Sequence, residues 1–212
     1  MAEHAGSPVT FYTNPMSRGR IIRWMLEEVG APYQVVVLDY ASSMKTPAYL
    51  AINPMGKVPA ITHRGKPVTE CAAICAYLAD AFPQARLAPP LDDRASYYRW
   101  LFFAAGPVEA AASNHAMGWE PPADRQRMFG YGNYDTTIDA LEGAVAGRTT
   151  ICDHGFTAAD VYVGSHLIFG TRFGTIPKRA AFEAYMAGLL ARPAYGRAAA
   201  LDDAATPASA QG

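Results

Sequence analysis

Asn53-Pro54-Met55-Gly56-Lys57-Val58-Pro59-Ala60-Ile61, followed shortly by Val68-Thr69-Glu70-Cys71-Ala72-Ala73-Ile74, is the stretch on which the reading of this 212-residue chain turns. An Asn-Pro turn and a glycine lead into Val58-Pro59, an X-Pro bond of the kind that is cis in tight turns. A cis bond there would aim the backbone N–H and C=O of Val58 outward, ready to pair with a peptide-like ligand. After the short hairpin at His63-Arg64-Gly65-Lys66, Glu70 and Cys71 open a helix, and the N–H groups of a helix N-terminus attract carboxylates. A peptide clamp and an anion hole therefore lie about a hairpin apart.

Working outward, Val9-Thr10-Phe11-Tyr12-Thr13 reads as a short strand stopped by Asn14-Pro15. A helix begins at Ser17. Its apolar residues Ile21, Ile22, Met25, Leu26 and Val29 recur at helical spacing, and Gly30 before Pro32 ends it. Gln34–Leu38 is a run of apolar β-formers, the pattern of a strand covered on both faces. Asp39–Ile52 carries turn residues and a short helical piece around Ala48–Ala51. Val58–Thr62 and Pro67–Thr69 flank the Arg64-Gly65 turn as an antiparallel hairpin. Ile74, Tyr77, Leu78 and Ala81 then stripe a third helix that ends before Pro83. The order is βαβ then ββα, and a right-handed crossover makes the first two strands parallel.

Pro83–Asp93, with its Pro89-Pro90 pair, reads as a linker between an N-terminal domain at 1–84 and a second domain at 92–212. The second domain shows no convincing strand. Arg94–Ala112 is dense in aromatic residues and should be kinked by Gly106-Pro107. Tyr134, Ile138, Leu141 and Val145 stripe another helix. Thr157-Ala158-Ala159-Asp160 predicts a capping box, with Phe156 and Val161 as its staple. Pro177 starts a helix holding Phe182, Tyr185, Met186 and Leu189, and Pro193 begins a last short one. From residue 202 onward an Ala-, Asp- and Pro-rich tail is expected to fray.

Half the residues are apolar, 17% are charged and the net charge is −1, which gives no sign of a nucleic-acid or membrane partner. No apolar run reaches the ~18 residues of a membrane-spanning helix. Met1–Pro8 lacks the pattern of a secretory signal. Three cysteines, Cys71, Cys75 and Cys152, form no disulfide framework, so a reducing, cytoplasmic location is expected. Nor do the five histidines and the cysteines fall at metal-ligand spacing, so no metal is expected.

At Asn53–Ile61 with Glu70-Cys71, and again at the Thr157–Asp160 box, the chain resembles the cytosolic glutathione transferase superfamily, as a bacterial-type member. The resemblance runs from Val9 to about Tyr195. It implies an α/β thioredoxin-like domain that binds glutathione, followed by an all-α domain that contributes the pocket for an electrophile. The activity it implies is addition of the thiolate of reduced glutathione, the co-substrate, to a small hydrophobic electrophile, by a homodimer. Isomerase, dehalogenase or reductase chemistry with glutathione, and a non-catalytic binding role, are the alternatives.

A free thiol has a pKa of ~8.5, and lowering it by two units takes only ~2.7 kcal/mol of preferential thiolate stabilisation. A hydroxyl or N–H donor at the junction of the first strand and first helix supplies that much. Pro15-Met16-Ser17 resembles the Pro-x-Ser of phi-class transferases, which makes Ser17 the first candidate, against a purely capping role. Tyr12, Asn14 and Arg18 are the rivals in this loop. For the remainder of glutathione, the resemblance assigns Val58, ahead of Pro59, to the cysteinyl backbone and Glu70 to the γ-glutamyl ammonium. The Cys71 N–H would bind the γ-glutamyl carboxylate, and Lys45 would lie near the glycyl carboxylate. The superfamily usually has Ser after this Glu, so Cys71 replaces a strong hydroxyl donor with a weak thiol.

Overall fold

Four short strands make one sheet in the order β2-β1-β3-β4: β1 Val9–Thr13, β2 Tyr33–Val37, β3 Ala60–His63 and β4 Lys66–Thr69. The computed structural model describes residues 8–206. Strands β1 and β2 pair in parallel from Val9 opposite Tyr33 to Thr13 opposite Val37, whereas β1/β3 and β3/β4 are antiparallel. The crossover between β1 and β2 is helix α1, Gly19–Val29. Its stripe of Ile21, Ile22, Met25, Leu26 and Val29 is buried as the spacing predicts, and left-handed Gly30 ends it by donating to the Leu26 carbonyl. Helix α3, Cys71–Ala81, buries Ile74, Cys75, Leu78 and Ala79 beside it. The opposite side of the sheet is covered by Leu38, Met44 and Tyr49, with Tyr12, Ile52 and Val58 packed on them. Tyr49 belongs to the one-turn helix α2, Pro47–Leu50.

Strand β2 differs from its expectation. Its valines are not covered on both faces: β2 is the edge of the sheet, and Val37 is 54% exposed. An apolar run alone does not distinguish a central strand from an edge.

Contacts divide the chain into two compact units, one made of the residues up to Arg86 together with those from Arg192 on, the other Leu87–Ala191. The first therefore regains the end of the chain, unlike the linear division at 84 and 92. Helix α9, Pro193–Ala205, is the reason. It packs on α1 through a ladder of pairs: Arg20–Asp203 at 2.8 Å, Arg23–Asp202 at 2.6 Å, Arg197–Glu27 at 2.9 Å and Arg192–Glu28 at 2.6 Å. Trp24 meets Tyr195 edge-on in the same seam. The expected fraying from residue 202 is not seen as far as Ala205, because Asp202 is buried against Arg23. The readings of Met1–Ser7 and of the tail beyond Thr206 lie outside the described residues.

The second unit is helical. Helices α4 (Ala95–Phe103) and α5 (Glu109–Ala116) are joined by a π-helical turn, Ala104–Val108, that holds Pro107. A wider turn accommodates a residue that has no N–H to give. Helices α6 (Tyr134–Val145), α7 (Ala158–Phe173) and α8 (Ala180–Leu190) complete it, with α8 starting three residues after Pro177. The capping box forms. Asp160 Oδ2 accepts from the Thr157 N–H at 2.8 Å, and its Oδ1 accepts from the Ile151 N–H at 2.6 Å and the Tyr185 hydroxyl at 2.7 Å. Burial pushes the Asp160 carboxyl above its ordinary range while these donors pull it back.

Candidate functional site

Sheet register brings the candidate residues to one edge of the first unit. Tyr12 pairs with Ala60 and Ala60 with Thr69, so one step further along, at the ends of three adjacent strands, lie Thr13, Pro59 and Glu70. Adjacent strands are about 4.8 Å apart, so the strand β1 exit, Val58-Pro59 and the start of α3 fall within reach of a tripeptide-sized ligand.

The Val58–Pro59 bond is cis. Just before it, the Lys57 carbonyl is held from two sides, by the Tyr49 hydroxyl at 2.6 Å and by Asn53 Nδ2 at 2.8 Å. Burial raises the Tyr49 pKa to about 12, which keeps that hydroxyl a donor. Asn53 Oδ1 accepts from the Met55 N–H and the Asn53 carbonyl from Gly56, so the whole turn is internally bonded. Gly56 sits at φ 57°, where an added Cβ would lie 2.9 Å from the Met44 carbonyl; only glycine fits. Among the described residues the Val58 N–H and C=O enter no backbone hydrogen bond. Lys45 reaches this turn, but its Nζ donates to the Gly56 carbonyl at 2.8 Å.

Glu70 is exposed and stands at φ 66°, ψ 122°, a conformation that costs a non-glycine residue on the order of 1–3 kcal/mol. The Glu70 side chain does not cap α3, whose first backbone bond runs from the Ile74 N–H to the Glu70 carbonyl. The N–H groups of Cys71, Ala72 and Ala73 thus head out of the helix end, where the dipole favours an anion. Cys71 is half-buried there, while Cys75 is fully buried and its thiol is pushed well above the ordinary range by burial.

The loop leaving β1 is tightly bonded. The Asn14 side chain donates to the Leu38 carbonyl at 2.9 Å and accepts from the Met16 N–H at 3.0 Å. Ser17 Oγ donates to the Asn14 carbonyl at 2.7 Å and accepts from the Gly19 N–H at 2.9 Å. Helix α1 begins two residues later than Ser17, after the Ser17 and Arg20 N–H groups have closed i to i+3 turns. Arg18 is exposed at the helix start. Tyr12 lies half-buried on the sheet with its ring 5.6 Å from that of Tyr49.

Sequence reasoning missed the residues that hold these groups in place. Gly19 is required by close approach, because a Cβ there would overlap Thr13 Oγ1 and come within 2.9 Å of Ser17 Oγ. Arg20 Nε donates to the Pro15 carbonyl at 2.6 Å. Asn53 was legible as a turn residue and Tyr49 only as part of a short helical piece. A hydroxyl or amide near the Asn-Pro turn was the available signal for them.

Among the described residues no cluster of His, Cys, Asp and Glu is arranged to hold a metal, and no helix is long and apolar enough to cross a membrane. Residues 7–80 match the glutathione S-transferase N-terminal domain family. Over 91 residues the chain is 34% identical to glutathione S-transferase 3 of Schizosaccharomyces pombe, which covers 42% of this chain and 37% of that one. Elongation factor 1-gamma of Prunus avium is 32% identical over 139 residues, 59% of this chain and 31% of its own length. The chain thus spans about a third of the length of these curated relatives. A solved sphingomonad glutathione S-transferase complexed with glutathione shares the fold with a TM-score of 0.74 at 29% identity, over 92% of this chain and 98% of that one. Residues 7–80 thus form a glutathione S-transferase N-terminal domain, and with the helical unit after it the chain shares the two-part fold of the sphingomonad glutathione S-transferase.

Proposed function

We propose that the protein is a glutathione transferase that binds reduced glutathione at the sheet edge and adds its thiolate to a small hydrophobic electrophile. The observation that carries this reading is the meeting of three unlike groups there: the backbone of Val58 ahead of cis Pro59, Glu70 held at positive φ, and the uncapped start of α3. Val58 pairs with the cysteinyl backbone. Glu70 takes the γ-glutamyl ammonium and the Cys71 N–H its carboxylate. Lys45, with three donors on its ammonium, keeps Gly56 and reaches toward the glycyl carboxylate.

Ser17 is the proposed thiolate donor. Its proton is directed to the Asn14 carbonyl, a neutral bond worth about 1 kcal/mol net. A charge-assisted bond to a thiolate is worth roughly 1.5–3 kcal/mol, so turning the hydroxyl toward the thiolate is favourable. The Gly19 N–H bonded to the same oxygen polarises it as a donor. Tyr12, Asn14 and Arg18 are the alternatives, and the two bonds that engage the Asn14 side chain leave it the weakest of them.

Titration calorimetry with glutathione, followed by turnover of a generic aryl halide, tests the proposal. Binding with turnover supports a transferase; tight binding without turnover points to a different glutathione chemistry. No binding favours a second reading, a non-catalytic binding module, which the similarity to elongation factor 1-gamma supports. A homodimer in the cytoplasm completes the proposal, and a monomer mass by light scattering at micromolar protein would contradict the first part of it.

A further inference from the structure

We propose that Arg20 is a positioning residue through which the chain's last helix, α9, sets the loop that carries Ser17. This inference rests on the glutathione reading above. The guanidinium of Arg20 makes two bonds in opposite directions: Nε donates to the Pro15 carbonyl at 2.6 Å, and its terminal nitrogen meets Asp203 of α9 at 2.8 Å. A planar guanidinium with fixed donor directions transmits orientation from one partner to the other, which a flexible ammonium does not. The Pro15 carbonyl belongs to the Pro15–Met16 peptide plane, and fixing that plane fixes the direction in which Ser17 leaves it. The loop's own bonds, from Ser17 Oγ to the Asn14 carbonyl and from the Met16 N–H to Asn14 Oδ1, hold its shape. Arg20 is what ties that shape to the helix pair. The other pairs of the α1–α9 seam join the helices without touching the loop.

Along this path the charged groups are Arg20, which bonds the loop at the Pro15 carbonyl, and Asp203 of α9, which pairs with it, while Asp202 is buried against Arg23 and Arg18 stands exposed at the helix start. A purely electrostatic role for Arg20 and a positioning role therefore give opposite signs when Asp203 is neutralised. Asp203→Asn unmasks the Arg20 charge, which by itself would lower the pKa of a nearby thiol; it also releases the guanidinium from α9, which lets the Ser17 hydroxyl wander and raises that pKa.

The test measures the pKa of enzyme-bound glutathione from thiolate absorbance across pH, together with affinity by calorimetry, in the parent, Arg20→Met, Asp203→Asn and Arg197→Ala. Arg197→Ala removes a rung of the same seam away from the loop. The expected result is unchanged affinity throughout and a bound-thiol pKa raised by about one unit in Arg20→Met, a tenfold change in the thiol's acid dissociation constant. A smaller rise is expected in Asp203→Asn, and none in Arg197→Ala. A fall in Asp203→Asn, no shift in Arg20→Met, or an equal shift in Arg197→Ala overturns the positioning role while leaving the glutathione reading intact. Should Arg20→Met fail to fold, Asp203→Asn and Arg197→Ala decide by the same signs. A parent protein that binds no glutathione overturns the glutathione reading, and this inference falls with it.

Discussion

The helix starts at Asn133 and Thr157 in the second unit differ from those at the sheet edge of the first, although α4 and α8 also lack a side-chain cap and Thr46 caps α2. In the second, α6 and α7 are closed: Asn133 accepts from the Thr136 N–H at 2.8 Å, and Thr157 with Asp160 forms a reciprocal box in which both residues are buried. In the first, neither α1 nor α3 has a cap from its N-cap side chain, and both starts stand at the same edge of the sheet. Ser17 takes the Gly19 N–H but has no acidic partner in the first turn. A start closed by a side chain contributes stability; at α3 the N-cap side chain adds no such bond and the dipole favours an anion, whereas at α1 the N–H groups of Gly19, Arg20 and Ile21 go to Ser17 Oγ and to the Ser17 and Arg18 carbonyls. Under the proposed glutathione reading, the contrast separates a box built for stability from an edge that takes a ligand, and substitutions at the two places should separate in the same way.

The largest effect is expected at the closed end. Asp160→Ala removes the box and leaves the Ile151 and Thr157 N–H groups and the Tyr185 hydroxyl buried without their acceptor. Losing a cap costs about 0.5–2 kcal/mol and each orphaned donor about 1–3, so a total near 4 kcal/mol is expected by chemical denaturation. Glutathione affinity of the folded fraction should be unaltered. A stable variant that no longer binds glutathione would abolish the division between the two kinds of helix start.

At the open end the strongest structural effect should come from Gly19. In Gly19→Ala the new methyl overlaps Thr13 Oγ1 where α1 meets β1, an overpacking that costs about 1–3 kcal/mol. Because Ser17 Oγ lies on the other side of that methyl, turnover should fall as well. Adding Thr13→Ala removes the obstructing oxygen and should recover part of the stability, a coupling that a double-mutant cycle reads directly. Additive losses would mean that the two residues do not meet.

Much of this architecture was legible beforehand, and the exceptions share a cause. Strand β1, the hairpin, the stripes of α1 and α3, the Val58–Pro59 turn and the Thr157–Asp160 box are local patterns, written in residues at most a few positions apart. What escaped depends on partners far along the chain. The exposed edge position of β2 is decided by which strands pair, and residues 34–38 carry no trace of it. The Ala-rich composition of α9 suggested fraying, yet Arg23, some 180 residues earlier, draws Asp202 into the core. Arg20 and Gly19 were hidden for the same reason. A Gly or Arg in a first turn is ordinary until Thr13, Pro15 and Asp203 are seen around it. The capping choice for Ser17 was decipherable only in part: it does bond the Gly19 N–H as a cap would, and its donor role waits on a measurement.

That measurement is Ser17→Ala. Val58, Glu70 and the Cys71 N–H are untouched, so affinity for glutathione should hold. The bound thiol should lose a charge-assisted bond of ~1.5–3 kcal/mol, and turnover near neutral pH should drop ~10–150-fold. The sign with pH follows from the proposed donor role: the variant's thiol pKa should rise from a depressed parent value toward the free one, and turnover should recover as pH climbs through it. An unchanged thiol pKa would move the donor to Tyr12, Arg18 or the backbone.

Glu70→Gly should split stability from binding. Glycine tolerates φ 66° without the Cβ clash, which relieves on the order of 1 kcal/mol, and the carboxylate disappears with it. The expected outcome is a protein at least as stable in denaturant as the parent, with glutathione affinity weaker by about tenfold or more. A variant both less stable and unaltered in binding would show that the backbone at residue 70 serves the fold and not a ligand.

The smallest change is expected from Tyr12→Phe. The ring keeps its place on the sheet against Tyr49 and the Leu38–Met44–Ala60 cluster, so stability should move by no more than about 0.5 kcal/mol. Only a hydroxyl is lost, and the Lys57 carbonyl that shapes the Val58 turn is held by Tyr49 and Asn53, not by Tyr12. Bound-thiol pKa and turnover should therefore stay close to the parent's while Ser17→Ala shifts both. The reverse ranking would be decisive the other way. A large rise in thiol pKa in Tyr12→Phe, with Ser17→Ala silent, would leave Ser17 as no more than the residue that bonds Asn14 and Gly19. The thiolate would then lie over the strand and not beside the start of α1.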